Sequence, residues 1–276
     1  MHQAPPPTDF SRLSLNQITT QRWSLREAIE GCAGNGIPAI GIWRDKLQEA
    51  GLPQAARWVR EAGLRVSTLC RGGWFLAPTQ AERQARLDDN HRAIDEAAEL
   101  NAGALVLVCG PGFDKDIQHA RAMIEEAIAA IAPYARERRV KLGIEPLHPM
   151  VAAERSAVVT LAQALGMAER HDADLVGVTV DTFNIWWDPE VYPQIARAAG
   201  RIHSYQVSDW PVPLPDTFMG RAMMGDGVIE LRRIRSAVTT AGYTGCIEVE
   251  IMNRAIWDMS GEDVLRLMKE RYLVHV

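Results

Sequence analysis

Cysteine is scarce in this chain, and no two cysteines have the CxxC spacing typical of redox or zinc motifs. Of the four cysteines, three lie within or at the ends of apolar, strand-like runs: Cys70 in STLC, Cys109 in LVLVC and Cys246 in GCIEV. We expect buried, reduced thiols, which are typical of a cytoplasmic protein. A disulfide framework and a cysteine-bound metal are disfavoured.

Long apolar runs and excess positive charge are also lacking. No apolar stretch reaches the roughly 20 residues that cross a bilayer, and the start MHQAPPPTDF has no signal-peptide core. The net charge of −5 disfavours nucleic acid and anionic membranes as partners. The proline-rich start predicts a short flexible arm over 1–10. Without a linker or a composition break, the chain is predicted to be a single domain over 1–276.

Strand-like and helix-like segments alternate along the whole chain. A capping box of Ser24 and Glu27 predicts a helix from Leu25 to about Gly34, and further helices are expected near 53–63, 80–100, 117–138 and 261–270. Eight strand-like segments precede such helices: RLSLNQIT, IPAIGIW, LRVSTLC, ALVLVCG, VKLGIEPL, DLVGVTVDTF, RIHSYQVSD and GCIEVEI. This order predicts an α/β fold, a single (β/α)8 TIM barrel. A doubly wound sheet needs a glycine-rich turn after the first strand, and NQITTQRW is not one.

Polar residues of the metal-ligand type lie near the C-terminal ends of the last four predicted strands. They are Glu145, Asp181, Gln206 and Glu250. Burying a carboxylate in an apolar strand is costly unless a positive charge compensates it, and these strand ends converge at one rim of a barrel. The simplest shared charge is a divalent cation. Because all the ligands offer oxygen, Mg²⁺ or Mn²⁺ is favoured over Zn²⁺.

Each of these residues also has a simpler interpretation. Glu145 could pair with an arginine inside the barrel, and Asp181 could cap a turn. His203 competes with Gln206 on strand seven, but it lies near the strand start and three residues away, so it faces the other side. Glu248 lies deeper than Glu250 on the same face, and we expect it to be a structural partner of a buried arginine or lysine.

The cluster predicts enolisation of a sugar-derived ketone. A cation that holds two substrate oxygens acidifies the C–H between them, and Glu145 and Glu250 can remove and return that proton. Trp186 and Trp187 are expected to form a pocket wall for a sugar ring, with plain packing as the alternative. The loop DWPVPLPDTFMGRAMMGDG is long enough to act as a lid, and its Arg221 could bind a substrate oxyanion or remain solvated.

Four motifs carry a resemblance to a known family. GIEPLHP, VDTFNIWWDP, RIHSYQVSDW and GYTGCIEVE together resemble the sugar isomerase/epimerase superfamily of xylose isomerase-like barrels, which includes ketose 3-epimerases and inosose dehydratases. The resemblance implies a divalent metal bound by Glu145, Asp181, Gln206 and Glu250, with the two glutamates as the acid/base pair. Two positions depart from the family pattern: Gln206 replaces a usual histidine, and Asn184, a candidate substrate-binding residue, replaces another.

The EPLHP element also resembles the barrel subunits of enzymes that cleave oxidised glycosides. There His148 would be the base in a β-elimination, although a histidine that caps the turn before Pro149 is an equal alternative. The leading hypothesis is a metal-dependent isomerase or epimerase that acts on a keto-sugar or a sugar phosphate through an enediolate. A lyase or dehydratase acting on a 3-oxo-sugar or 3-oxo-glycoside is the second, and a non-catalytic sugar-binding subunit the third. The expected partner is a small carbohydrate, with association into a homo-oligomer or with a partner subunit left open.

Overall fold

Eight parallel strands close into a barrel in which every strand pairs with its neighbours in sequence and β1 pairs with β8. The computed structural model describes residues 6–276. The strands are β1 (Leu13–Asn16), β2 (Ala39–Trp43), β3 (Arg65–Gly73), β4 (Leu105–Val108), β5 (Leu142–Ile144), β6 (Val176–Asp181), β7 (Ile202–Val207) and β8 (Ile247–Val249). The predicted (β/α)8 barrel is confirmed.

Helices follow the strands and cover the outside of the barrel. They are α1 (Leu25–Gly34), α2 (Arg44–Ala50), α3 (Leu52–Glu61), α4 (Gln80–Glu99), α5 (Ile117–Glu137), α6 (Leu161–Ala168), α7 (Thr182–Ile185), α8 (Val191–Arg197), α9 (Leu231–Thr240), α10 (Arg254–Asp258) and α11 (Gly261–His275). The predicted capping box is present, since the Ser24 side chain accepts from the Glu27 amide and Glu27 accepts from the Ser24 amide. Helix α2 has no counterpart in the prediction.

The ends of three strands differ from the predicted ones, and this matters for the site. β1 stops at Asn16, whose side chain accepts from the Ile18 amide and starts a 3-10 turn over Gln17–Thr20. β5 and β8 each end one residue before the predicted glutamate. Even so, the Glu145 amide donates to Leu107 O at 3.1 Å and the Glu250 amide donates to Val207 O at 3.1 Å. Parallel pairing therefore continues through both glutamates.

The apolar core lies between the barrel and its helices, and the inside of the barrel is unusually polar. Ser14, Asn16, Gln206 and Glu248 are all buried there, at 2% exposure or less. Ser14 Oγ and Ser67 Oγ lie 2.7 Å apart. Small and polar residues thus occupy positions that branched apolar side chains fill in most such barrels.

The structure bears on three expectations drawn from the composition, which concern membrane-spanning helices, the cysteines and the N-terminal arm. Among residues 6–276, no helix is both long enough and apolar enough to span a bilayer. The four cysteines are free, and Cys32, Cys70 and Cys109 are buried, whereas Cys246 is partly exposed. The predicted flexible arm lies partly outside the described residues, because these begin at residue 6. Phe10, within that arm, packs near Tyr272 with ring centroids 6.3 Å apart.

Gly41 on β2 is expected to tolerate no side chain, because a Cβ there would lie 2.6 Å from the Glu248 carboxylate. Gly41→Ala should lower the free energy of unfolding by about 1–3 kcal/mol through overpacking. Gly166→Ala in α6 is the matched control, because a Cβ added at Gly166 would have no atom within 4 Å, and it should raise stability by about 0.4–1 kcal/mol. Urea unfolding midpoints measure both changes. Equal midpoints for the two variants would contradict the packing argument.

Candidate active site

Three buried carboxylates meet at the C-terminal rim of the barrel. Glu145, Asp181 and Glu250 each offer an oxygen that lies within 4.8 Å of the others, and none is more than 5% exposed. Glu145 and Glu250 line a cavity of about 230 Å³. The strand ends predicted to converge therefore do so.

Asp181 is held by the chain that follows it. It is the last residue of β6, and its Oδ1 accepts a 3.0 Å hydrogen bond from the Phe183 amide as α7 begins. Asp181 both caps the turn and belongs to the cluster, because each role uses a different oxygen of its carboxylate. Its other oxygen, Oδ2, points to the cluster and accepts from Asn184 Nδ2 at 2.8 Å.

Asn184 ties two of the carboxylates together. Its Nδ2 donates to Glu145 Oε1 at 3.0 Å as well as to Asp181, and its Oδ1 accepts from the His148 amide at 3.1 Å. Both N–H donors of the amide are therefore used within the protein. Asn184 thus holds two carboxylates in place, and because it also lines the cavity its contact with substrate stays a prediction.

Gln206 lies between Asp181 and Glu248 in the register of β6, β7 and β8. Its Nε2 donates to Glu248 Oε1 at 3.0 Å, and its buried Oε1 has no hydrogen-bond partner among the described residues. An ionised carboxylate only accepts hydrogen bonds, so Glu248 fixes the amide with its nitrogen inward and its oxygen free. A buried oxygen without a hydrogen-bond partner is unfavourable, and coordination of a cation is one way to satisfy it.

Glu248 has no basic partner among the described residues, so the expected pairing with arginine or lysine is wrong. Its carboxylate accepts instead from Asn16, Ser67, Thr68 and Gln206. Four donors on one carboxylate replace a buried cation at this depth of the barrel. Glu248 is thus the anchor of an internal hydrogen-bond network.

Asn16 extends this network to the rim, and sequence reasoning missed it. Its Nδ2 donates to Glu248 Oε1 at 2.6 Å and to Glu250 Oε1 at 3.2 Å. Its Oδ1 accepts from Trp43 Nε1 at 2.8 Å. Asn16 is the last residue of β1 and Trp43 is the last residue of β2. A search for functional residues at strand ends, which identified Glu145 and Asp181, would have found them if it had included the first half of the chain.

Arg221 does not sit on the surface of the long loop but is buried in the cluster, at 5% exposure. Its Nη1 lies 2.8 Å from Asp181 Oδ2 and 3.0 Å from Glu250 Oε2. The solvated alternative is therefore excluded, and the guanidinium faces protein carboxylates. Because Arg221 also lines the cavity, its contact with a substrate oxyanion stays a prediction. An internal arginine pairs with two of the proposed metal ligands, although Glu145 has no ion-pair partner within 4.0 Å in the described chain.

One guanidinium does not balance three carboxylates. Burial raises the pKa of Glu145 well above its usual value, and the charges of Glu250 and Asp181 raise it further. Burial also raises the pKa of Glu250, against the opposing effect of Arg221. Burial alone would lower the pKa of Arg221, but Asp181 and Glu250 outweigh it and raise the value. Ionisation of all three carboxylates therefore requires positive charge beyond that of Arg221.

The donor set fits a hard divalent cation. It offers three carboxylates within 4.8 Å of one another and an unpaired amide oxygen on Gln206, and a cation would stabilise the ionised form of the carboxylates. Oxygen ligands in this number are those that Mg²⁺, Mn²⁺ and Ca²⁺ prefer. The residues able to hold such an ion are Glu145, Asp181, Gln206 and Glu250.

His148 lines the cavity and caps the 3-10 turn that follows it, as its alternative interpretation predicted. Its Nδ1 accepts from the Met150 amide at 3.2 Å. Burial lowers the pKa of His148 to about 4, so the ring is neutral at neutral pH. In that form Nε2 carries the proton, and the ring offers the cavity a hydrogen-bond donor where a general base needs a free lone pair.

The aromatic wall of the cavity differs from the expected one. Trp186 and Trp187 are not among the described residues that line it, because α7 directs them to Trp210 and His148, with ring centroids 5.4 and 5.6 Å away. The aromatic lining comes instead from Trp43, Phe183 and Phe218. For the two adjacent tryptophans, the packing alternative describes the structure better.

His203 lies at the opposite end of the barrel, as expected. Its ring nitrogens contact Leu142 O at 3.0 Å and Ala173 O at 2.9 Å. It lines a second, larger opening of about 780 Å³ at the N-terminal end, together with Cys246 and Glu248. Reactive groups of these barrels gather at the other end, so the smaller cavity with the carboxylates is the candidate active site.

Comparison with known proteins agrees with this geometry. The family model described as xylose isomerase-like TIM barrel matches residues 27–271. An inosose isomerase of Halalkalibacterium halodurans is 22% identical over 94% of both chains. The structure of protein SMc04130 from Sinorhizobium meliloti 1021 is 45% identical, with a TM-score of 0.93, and the match covers 96% of this chain and 98% of that one. The zinc-bound IolI protein has a TM-score of 0.83 at 18% identity, covering 94% and 96%. This chain belongs to the xylose isomerase-like TIM barrel family.

Proposed function

We propose that this protein isomerises or epimerises a keto-sugar through an enediolate, with the help of a divalent cation. The observation that supports this most is the meeting of Glu145, Asp181 and Glu250 within 4.8 Å at one cavity. Gln206 is proposed as the fourth ligand, through its unpaired oxygen. A bound Mg²⁺ or Mn²⁺ supplies Lewis acidity, which makes the C–H beside a coordinated carbonyl easier to ionise.

Proton transfer is assigned to Glu145 and Glu250. They enter the cavity from the ends of different strands, so a planar substrate between them has one carboxylate near each face. Burial raises the pKa of both in the metal-free protein, and a bound cation would favour their ionised form, in which a carboxylate can take up a proton. Asn184 and Asn16 hold the two glutamates through hydrogen bonds at 3.0 and 3.2 Å.

The size of the cavity argues for a small substrate. Its volume of about 230 Å³ lies below the roughly 300–1,000 Å³ of typical ligand sites. A free keto-sugar of a few carbons suits it better than a glycoside with a bulky aglycone. A relative in fold, with a TM-score of 0.74 at 14% identity, is the 3-keto-D-glucoside 4-epimerase of E. coli, so epimerisation of oxidised sugars does occur on this fold.

The lyase alternative depends on His148 as a base. The Met150 amide occupies its Nδ1, so the ring would have to give up that bond or lose the Nε2 proton before it could act. This favours isomerisation over β-elimination and gives His148 the role of a donor to substrate oxygen.

Metal content gives the first test. Glu145→Gln and Asp181→Asn keep the shape of each side chain but remove a negative ligand, so bound Mg²⁺ or Mn²⁺ after dialysis should fall at least about 10-fold. Glu137→Gln, an exposed glutamate at the end of α5, is the matched control and should keep wild-type content. Metal content unchanged in both site variants would remove the basis of the proposal.

Restoring the family's usual imidazole gives a second test. Gln206→His replaces a neutral oxygen ligand with nitrogen, which zinc prefers over an amide oxygen. The variant is expected to bind Zn²⁺ more tightly relative to Mg²⁺ than the wild type does, as measured by competition with a chelating dye. An unchanged Zn²⁺/Mg²⁺ ratio would show that residue 206 is not a ligand.

Arg221 should report on the charge balance of the cluster. Arg221→Gln leaves buried carboxylates without a counter-charge, so the metal-free variant should lose about 3–5 kcal/mol of unfolding free energy. Arg266→Gln removes an exposed pair with Asp263 and should cost no more than about 1 kcal/mol. A saturating divalent cation should then raise the melting temperature of Arg221→Gln more than that of wild type. Equal shifts would mean that the cation does not bind among these carboxylates.

Solvent exchange tests the chemistry itself. In D2O with Mg²⁺ or Mn²⁺, NMR should show deuterium entering the carbon beside the carbonyl of a ketose, without loss of water or aglycone. Glu250→Gln should slow this exchange by about 10²–10⁴-fold, the usual contribution of a general acid or base, while Glu137→Gln should not. Elimination products from a 3-oxo-glycoside would favour the lyase instead. Ligand binding without any exchange would favour the binding subunit.

A further inference from the structure

Two arginines line the active-site cavity without an ion-pair partner within 4.0 Å among residues 6–276, although Glu145 and Glu250 attract Arg155 from a greater distance. Arg71 belongs to β3 and lies over the Trp74 ring, 4.3 Å from its centroid. Arg155 lies between β5 and α6, over the Phe218 ring at 4.0 Å. Both are half-buried, and both line the cavity that holds Glu145. Contact with the face of an aromatic ring restrains each guanidinium without using its N–H donors.

The donors of both guanidinium groups are unused within residues 6–276. In that part of the chain no carboxylate lies within 4.0 Å of either group, and no hydrogen bond from either is present, although each carries five N–H donors. Arg44 shows the contrasting case. It is also half-buried, but it pairs with Asp89 at 2.9 Å and with Glu96 at 2.5 Å.

The pKa shifts of Arg71 and Arg155 also differ from that of Arg44. Burial lowers the pKa of Arg71 and of Arg155, and the charge of Glu145 opposes this at Arg155 without offsetting it. At Arg44 burial acts in the same direction, but the hydrogen bonds and charges of its two carboxylates outweigh it and raise the pKa. A half-buried, fixed and uncompensated guanidinium is costly as a structural element. Two at one cavity indicate an external anion.

The charges inside the cavity point the same way. Asp181, Glu145 and Glu250 are opposed by the guanidinium of Arg221. A divalent cation on these carboxylates would neutralise the remaining negative charge, leaving Arg71 and Arg155 as net positive charge at the mouth. An anion of one or two charges completes that balance.

We propose that Arg71 and Arg155 bind an oxyanion group of the substrate, a carboxylate or a phosphate, and so make the substrate an anionic keto-sugar or a short keto-acid. This rests on the proposed function, because it assumes that the reacting carbonyl lies at the carboxylate cluster. Bidentate contacts from two guanidinium groups suit the planar fork of a carboxylate or the tetrahedral edge of a phosphate. The anionic end is then fixed at the mouth and the carbonyl end at the cavity floor.

Binding of a simple anion tests the site without relying on turnover. Calorimetry with inorganic phosphate, on the protein as purified with Mg²⁺, should give a dissociation constant that rises about 10-fold in Arg71→Gln and in Arg155→Gln. Arg254→Gln is the matched control, because it removes an exposed positive charge from the same face of the barrel at the start of α10. Its constant should stay within about twofold of wild type. If all three variants bind phosphate as wild type does, the anion site does not exist.

Substrate discrimination is the second measurement and distinguishes the two sources of negative charge. Deuterium exchange is compared for D-fructose, D-fructose 6-phosphate and 5-keto-D-gluconate. The phosphorylated ketose or the keto-acid should show a KM at least about 10-fold below that of fructose, and Arg71→Gln and Arg155→Gln should raise the KM for the anionic substrate at least about 10-fold more than they raise the KM for fructose. Which anion has the lower KM identifies phosphate or carboxylate.

The outcomes also separate this inference from the proposed function. Exchange on fructose with no preference for either anion, in wild type and in the arginine variants, overturns the anion site and leaves the isomerase proposal standing. Phosphate binding that weakens in both arginine variants, with no exchange on any ketose, establishes the anion site and overturns the isomerase proposal.

Discussion

The crowding of three carboxylates at one desolvated place is the constraint on which the site depends. Glu145, Asp181 and Glu250 lie on strands whose neighbours and lengths are fixed by barrel closure, so they stay together even though they repel one another. Hydrogen bonds from Asn184 and Asn16 and the charge of Arg221 relieve part of this repulsion. A bound divalent cation would relieve the repulsion that remains between the carboxylates, and this relief would contribute to its binding free energy. The barrel therefore stores electrostatic strain where the chemistry is proposed.

A deeper carboxylate, that of Glu248, fixes the orientation of the side chains around the cluster. Glu248 has only acceptors, and four donors from three different strands converge on it, so it fixes the orientation of Gln206 and of Asn16. Gly41 leaves room for the carboxylate to reach across the barrel. A barrel interior of branched apolar side chains would pack more tightly but would offer no means of orienting an amide. The barrel interior therefore has less apolar packing, and it has polar side chains of fixed orientation instead.

The features that the sequence could predict are those set by local pattern. Strand alternation and the strand-end rule placed Glu145, Asp181 and Glu250 at one rim, and helix periodicity placed α4 and α5 within a residue of their observed ends. The burial of Arg221 depends on how a long loop folds back over the rim, and no periodicity encodes that path. Likewise, the partners of Glu248 come from β1 and β3, about 180 to 232 residues earlier in the chain. Such contacts follow from closure of the barrel, which local pattern does not reach.

The two departures from the family pattern acquire a common physical meaning in this structure. At positions 184 and 206 an amide stands where the family pattern implied by the sequence motifs has an imidazole, and each amide points its nitrogen at carboxylates. A neutral imidazole at position 184 would carry a single N–H donor, so it could not donate to Glu145 and Asp181 together as Asn184 Nδ2 does. Gln206 in turn offers the site oxygen in place of nitrogen. Both changes remove a group that titrates near neutral pH, and both shift the ligand set towards hard oxygen donors. This is the physical reason for proposing Mg²⁺ or Mn²⁺ where the structure of the related IolI protein contains zinc.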